Sequence, residues 1–158
     1  MMRLHDRIAS LLRLTKGLDD QMAVLVDGAS RRLHARGKML VYSESQHSHH
    51  LVDELIQRSV SAMRLEDTSE RRVIALTRPG DVMLILSDYG DVQQVVRSAE
   101  VAKIGGAYLC ALIGGDGGML RGKCDATVVV PSYELREVRE VQCVAAHMLV
   151  EQLDMRLH

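Results

Sequence analysis

The chain predicts an α/β fold, a three-layer sandwich built on a five-stranded parallel sheet. Three observations carry this. Short apolar runs alternate with segments of helical period along most of the 158 residues, the pattern of strands joined by crossover helices. The run Val82-Met83-Leu84-Ile85-Leu86 is apolar at every position, as in a central parallel strand covered on both faces. That run passes through Ser87-Asp88-Tyr89-Gly90-Asp91 directly into an amphipathic stretch, the strand–loop–helix step of a right-handed parallel connection.

The elements follow in order. Residues 5–36 hold Ile8, Leu11, Leu12, Leu18, Met22, Leu25, Val26, Ala29 and Leu33 at helical spacing. Gly17 divides the run into two helices, because glycine weakens a helix interior, and Gly37 is the expected C-cap. Residues 38–42 (KMLVY) read as a strand, 43–48 as a polar, His-rich loop, and 49–58 as a helix with Leu51, Leu55 and Ile56 as its apolar side. Residues 61–65 form a weak strand. Asp67, Thr68 or Ser69 caps a helix through Leu76, which Pro79-Gly80 ends. Residues 81–86 make the strongest strand. Val92, Val95, Val96, Ala99 and Ala102 line the next helix, which Gly105-Gly106 stops. A strand over 107–113, a loop over 114–118 (GGDGG) and a β-branched strand over 126–130 ending at Pro131 follow. The last helix starts near Glu134, with Val138, Val141, Ala145, Met148 and Leu149 on one side.

Length and composition fit a single domain over 1–158, a helical segment (1–36) leading into an α/β core (37–158). Hydrophobic residues make up 47% and charged residues 26%, with a net charge of −1. No basic block is present, and the only aromatics are four Tyr, so nucleic-acid partners are not expected. The first twenty residues carry Arg, His and Asp within their apolar stretch and read as neither a signal peptide nor a membrane span. Cys110, Cys124 and Cys143 are odd in number and lack C-x-x-C spacing, which fits a reducing compartment. The expected location is the cytoplasm, with no membrane partner and no nucleotide cofactor. No Walker A, GxGxxG, HExxH or GxSxG motif occurs.

In a parallel sheet the ligand site lies beyond the carboxyl ends of the strands. The loops at 43–48, 87–91 and 114–118 should therefore converge. In the loop at 87–91, Ser87 offers a hydroxyl, Gly90 allows close backbone approach, and residues 90–93 can present N–H groups to an anion. The alternative is an ordinary turn N-capped by Asp88 or Asp91, whose charges would repel a dianion. His50 and Glu54 stand at i and i+4, on one face of a helix, suited to a divalent metal or to proton transfer. His47 and His49 lie close by in sequence. His147 sits at the edge of an apolar stretch, with Arg139 and Gln142 leaving open a polar stripe on the same helix. Asp116 can bind sugar hydroxyls or close an Asx turn.

Taken together, GDVMLILSDYGDVQQVVRSAEVAKIGGAYLCALIGGDGG, KCDATVVVP and the last helix resemble the sugar isomerase (SIS) domain family, and within it phosphoheptose isomerase. The resemblance runs from about Gly37 to Leu153. It implies a flavodoxin-like strand topology and aldose–ketose isomerisation of a phosphosugar, with sedoheptulose 7-phosphate as the family's substrate, or binding of a carbohydrate derivative. His50 and Glu54 match the family's H-x-x-x-E, and His147 its second histidine. The resemblance thus implies Glu54 as base and His147 as acid, with His50, Glu54 and His147 as candidate ligands of a zinc ion. Ser43, Ser45, Ser87, Asp88, Gly90, Asp91 and Asp116 are the candidate substrate-binding residues. The family's S-T-S-G-N-S loop reads Ser87-Asp88-Tyr89-Gly90-Asp91-Val92 here. The Gln that supplies a further metal ligand aligns with Arg139, which has no lone pair to offer. His47 or His49 would have to replace it. These departures raise a rival expectation, a catalytically inactive SIS module that binds a small ligand or a protein partner in a regulatory role. The long apolar helices at both ends suggest a homo-oligomer, a dimer or tetramer.

Overall fold

A computed structural model of the chain describes residues 1–45, 49–58 and 60–158. The order is α1 (Leu4–Thr15), α2 (Leu18–His34), β1 (Met39–Ser43), α3 (His49–Gln57), β2 (Ala62–Arg64), α4 (Glu70–Leu76), β3 (Val82–Ser87), α5 (Gln93–Ile104), β4 (Tyr108–Gly114), α6 (Gly118–Arg121), β5 (Ala126–Val130) and α7 (Leu135–Leu157). All five strands pair in parallel, in the spatial order β2-β1-β3-β4-β5. The expected three-layer α/β sandwich and its flavodoxin-like topology are borne out.

The two-residue period of the strands divides the core into two halves. Val82, Leu84 and Leu86 point to one side, with Met39, Val41, Cys110 and Leu112, and meet α2, α3 and α7. Met83 and Ile85 point to the other, with Leu40, Leu109, Ala111 and Ile113, and meet α4, α5 and α6. Every residue of β3 is buried, as a continuously apolar central strand requires. Truncating Leu84 to Ala would remove a fully buried side chain at a cost of about 2–5 kcal/mol. At the far edge, the Gln21 side-chain carbonyl from α2 accepts the Val129 N–H at 2.8 Å, which blunts one open position of edge strand β5.

Several local expectations need correction. Gly17 does divide the first helices, in the left-handed region at φ 83°. Gly37 is not the cap of α2, however. Ala35 is the C-cap and Arg36 takes the left-handed conformation, while Gly37 lies against the Gly80 carbonyl where a Cβ would not fit. Val92, Ile56, Ile8, Leu12 and Met148 are exposed rather than core residues. Val92 precedes α5 as its N-cap; the others have helical spacing, but the neighbouring element covers a stripe one position away, and α3, for example, buries Leu51, Val52 and Leu55. The short helix α6 was not expected; it buries Leu120. No helix among the described residues is long and apolar enough to cross a membrane.

Candidate functional site

The strand order reverses between β1 and β3, and a crevice forms at such a point beyond the carboxyl ends. Parallel register pairs Ser43 with Leu86, so the next residues along each strand, Glu44 and Ser87, become neighbours. The Glu44 N–H donates to the Leu86 carbonyl at 3.0 Å. Its carboxylate turns into the loop at 87–91, where it accepts the Ser87 hydroxyl at 2.7 Å and the Asp88 N–H at 2.8 Å. A carboxylate of the chain itself therefore takes donors of the kind that an anionic ligand would use. Burial pushes the Glu44 carboxyl above its ordinary value of 4.5, and the charges of Asp88 and Asp91 add to this, against the Asp88 N–H and the Ser87 hydroxyl, which favour the ionised form.

The loop closes on itself. The Gly90 N–H donates to Ser87 Oγ at 2.9 Å, and Gly90 takes φ 70° against the Gly117 carbonyl, where only glycine is at ease. The Gly114 N–H donates to the Asp88 carbonyl and the Leu120 N–H to the Gly90 carbonyl, both at 3.0 Å. These bonds bring the second and third loops together as expected. The expectation that Asp88 or Asp91 caps α5 is corrected. Val92 is the N-cap and no side chain bonds the helix end, because Asp88 faces α7 instead. There Arg139 Nε and Nη2 donate to its two carboxylate oxygens at 3.1 and 2.9 Å, a bidentate pair. That partner holds the Arg139 guanidinium further above its ordinary value. One turn on, the buried Gln142 amide donates to the Ser87 carbonyl at 2.7 Å and to the Leu112 carbonyl at 3.0 Å.

A cleft of about 80 Å³ adjoins the loop, with Ser45, His50, Leu86, Arg139, Gln142 and His147 among its lining residues. His147 on α7 brings Nε2 to 3.7 Å from Glu54 Oε1 on α3. The distance is beyond a hydrogen bond, so the imidazole and the carboxylate face one another with both side chains partly open to solvent. The Ser43 hydroxyl is used locally, donating to the Ser45 carbonyl at 2.8 Å. Asp91 is exposed at the loop rim. Asp116 closes an Asx turn with the Gly118 N–H at 2.9 Å and is exposed.

Among the described residues no group of three or more His, Cys, Asp and Glu side chains is placed to hold a metal ion. His47 and the His49 side chain lie outside the described residues. Arg139, which stands where the family pattern has a further ligand, offers no lone pair and is committed to Asp88.

Sequence reasoning gave no role to Glu44 and left Arg139 and Gln142 as a polar stripe. For Gln142 a signal existed: an amide in the buried stripe of α7 between Val141 and Ala145 must find partners. For Glu44 the polar loop offered none.

No protein-family model matches the chain. A phosphoheptose isomerase from a Nitratiruptor species is 36% identical over 84 residues, covering 53% of this chain and 45% of that protein. The matched stretch thus spans a little under half the length of that curated relative. The solved structure of a phosphoheptose isomerase from Francisella tularensis aligns with a TM-score of 0.84 at 22% identity, over 98% of this chain and all of that one (100%). The Vibrio vulnificus NanR protein complexed with ManNAc-6P aligns with a TM-score of 0.69 at 20% identity, over 95% of this chain and 58% of that one. The resemblance read from the motifs is borne out: the chain has curated relatives named phosphoheptose isomerase, and it shares the fold of phosphosugar isomerases.

Proposed function

We propose that the chain binds a sugar phosphate or related carbohydrate derivative at the carboxyl edge of its sheet and interconverts the aldose and ketose forms. One observation carries this reading. Glu54 and His147, from helices more than ninety positions apart in sequence, face each other at 3.7 Å beside the cleft. Aldose–ketose conversion moves a proton between C1 and C2 through an enediol. The Glu54 carboxylate takes the proton from one carbon and returns it to the other, while His147 gives a proton to the carbonyl oxygen and takes one from the neighbouring hydroxyl. The curated relatives named phosphoheptose isomerase support the substrate class. The cytoplasm is the compartment in which such a ligand would be met. The exposed apolar residues Leu4, Ile8 and Leu12 of α1 and Val144, Met148 and Met155 of α7 support assembly as a homo-oligomer.

Deuterium exchange tests the reaction. Incubation with sedoheptulose 7-phosphate in heavy water should place solvent deuterium on the carbon that receives the proton, detected by NMR. Glu54→Gln and His147→Ala should each slow that exchange by about 10²–10⁴-fold. Undiminished exchange in Glu54→Gln would remove the mechanism.

A second reading, a non-catalytic module of the same fold, is favoured by one feature. Glu44 takes the Ser87 hydroxyl and the Asp88 N–H, and Asp88 takes Arg139. Ligand binding that stabilises the fold with no deuterium incorporation by the unsubstituted chain would favour it.

A further inference from the structure

We propose that Glu44 is a specificity-determining residue, an internal anion that keeps the loop at 87–91 for a ligand end bearing an uncharged hydroxyl and turns away a phosphoryl group there. The inference rests on the carbohydrate-binding reading and sharpens its substrate class. Three observations carry it. The Ser87 hydroxyl and the Asp88 N–H both donate to the Glu44 carboxylate, at 2.7 and 2.8 Å. The Gly90 N–H, a further donor of the loop, is directed to Ser87 Oγ at 2.9 Å. Arg139, which lines the cleft, is bound bidentately by Asp88.

A phosphoryl dianion entering this loop would meet the carboxylates of Glu44 and Asp88, with Asp91 at the rim and the Arg139 charge already balanced. Like charges in a partly desolvated crevice repel strongly. A neutral polyol end meets no such cost. Its hydroxyl can donate to a carboxylate, which accepts through either oxygen. The ligand end at this loop is therefore a hydroxylated carbon chain. A phosphoryl group carried elsewhere on the sugar is compatible with the site.

The test measures inorganic phosphate binding by calorimetry, and thermal stabilisation by sedoheptulose and by sedoheptulose 7-phosphate. The proteins are the unsubstituted chain, Glu44→Ser, and Glu44→Gln, which keeps the shape and removes the charge. Both variants should bind inorganic phosphate at least about tenfold more tightly than the unsubstituted chain, Glu44→Ser the more so. Glu44→Ser should gain more stabilisation from the 7-phosphate, relative to the free ketose, than the unsubstituted chain does. Equal phosphate affinity in all three proteins, or the same ratio of stabilisation by the two sugars in all three, overturns the proposal. If neither sugar stabilises any of the proteins, the carbohydrate reading fails. The phosphate measurement still decides the role of Glu44.

Discussion

Ser87→Ala should destabilise this fold by more than the loss of one surface hydroxyl. Ser87 ends β3 with 1% of its surface exposed. Its oxygen donates to Glu44 Oε1 at 2.7 Å and accepts the Gly90 N–H at 2.9 Å. Deleting it removes a hydrogen bond to a charged group, worth about 1.5–3 kcal/mol, and leaves a buried amide without an acceptor, at about 1–3 kcal/mol. Glu44 keeps the Asp88 N–H, and its carboxyl already sits above the ordinary value, so protonation relieves part of the loss. A net cost of about 3 kcal/mol follows. For a chain of this size that is a fall in Tm of about 6–12 °C. Thermal unfolding by circular dichroism measures it, and a cycle with Glu44→Gln isolates the pair. The two substitutions should couple by about 1–2 kcal/mol, since they share one bond. A Tm loss below about 2 °C, or additivity within about 0.5 kcal/mol, would refute the arrangement of Glu44, Ser87 and Gly90.

Three further outcomes are expected. Gln142→Leu should cost about 2–3 kcal/mol in urea unfolding, because the Ser87 and Leu112 carbonyls lose the buried amide that donates to both. Gly28→Ala should cost about 1–3 kcal/mol in the same assay. A Cβ there would press on the Tyr108 phenol, which is held between α2 and the Arg32 guanidinium 4.3 Å above its ring. The third concerns pH. The folded Glu44 carboxyl is raised above 4.5, so between that value and the folded one the native state holds more protons than the unfolded chain. Its contribution is fully present below pH 4.5 and is lost as pH rises through the folded value. Glu44→Gln should therefore flatten the decline of stability on the alkaline side of pH 4.5, as read by denaturant midpoints across pH. An unchanged profile would contradict the burial of this group beside Asp88, Asp91, Tyr42 and Arg139.

The strands were legible because each has a local cause. Val82–Ser87 is apolar throughout and ends on a polar loop, and Ala126–Val130 is β-branched and stopped by Pro131. The helix ends at Gly105-Gly106 follow from glycine's weak helix propensity. The apolar faces were less legible at their margins. Val92 and Ile56 have the right spacing, yet lie outside the area that a neighbouring element covers.

For the site, the chain itself named the loop at 87–91, the His50 and Glu54 pair and His147, because residue type and spacing along one helix or one loop are local properties. Their meeting was not local. Glu54 faces His147 only because α3 and α7 pack on the same side of the sheet. Glu44 enters the loop only because the parallel register sets Ser43 opposite Leu86, which carries a residue 43 positions away to Ser87. Sequence determined the parallel α/β frame and pointed to its carboxyl edge as the candidate ligand site, since both rest on apolar period and turn chemistry. Tertiary structure decided which charge fills that edge, since a side chain's partners across a sheet depend on strand register and helix packing rather than on its neighbours in the chain.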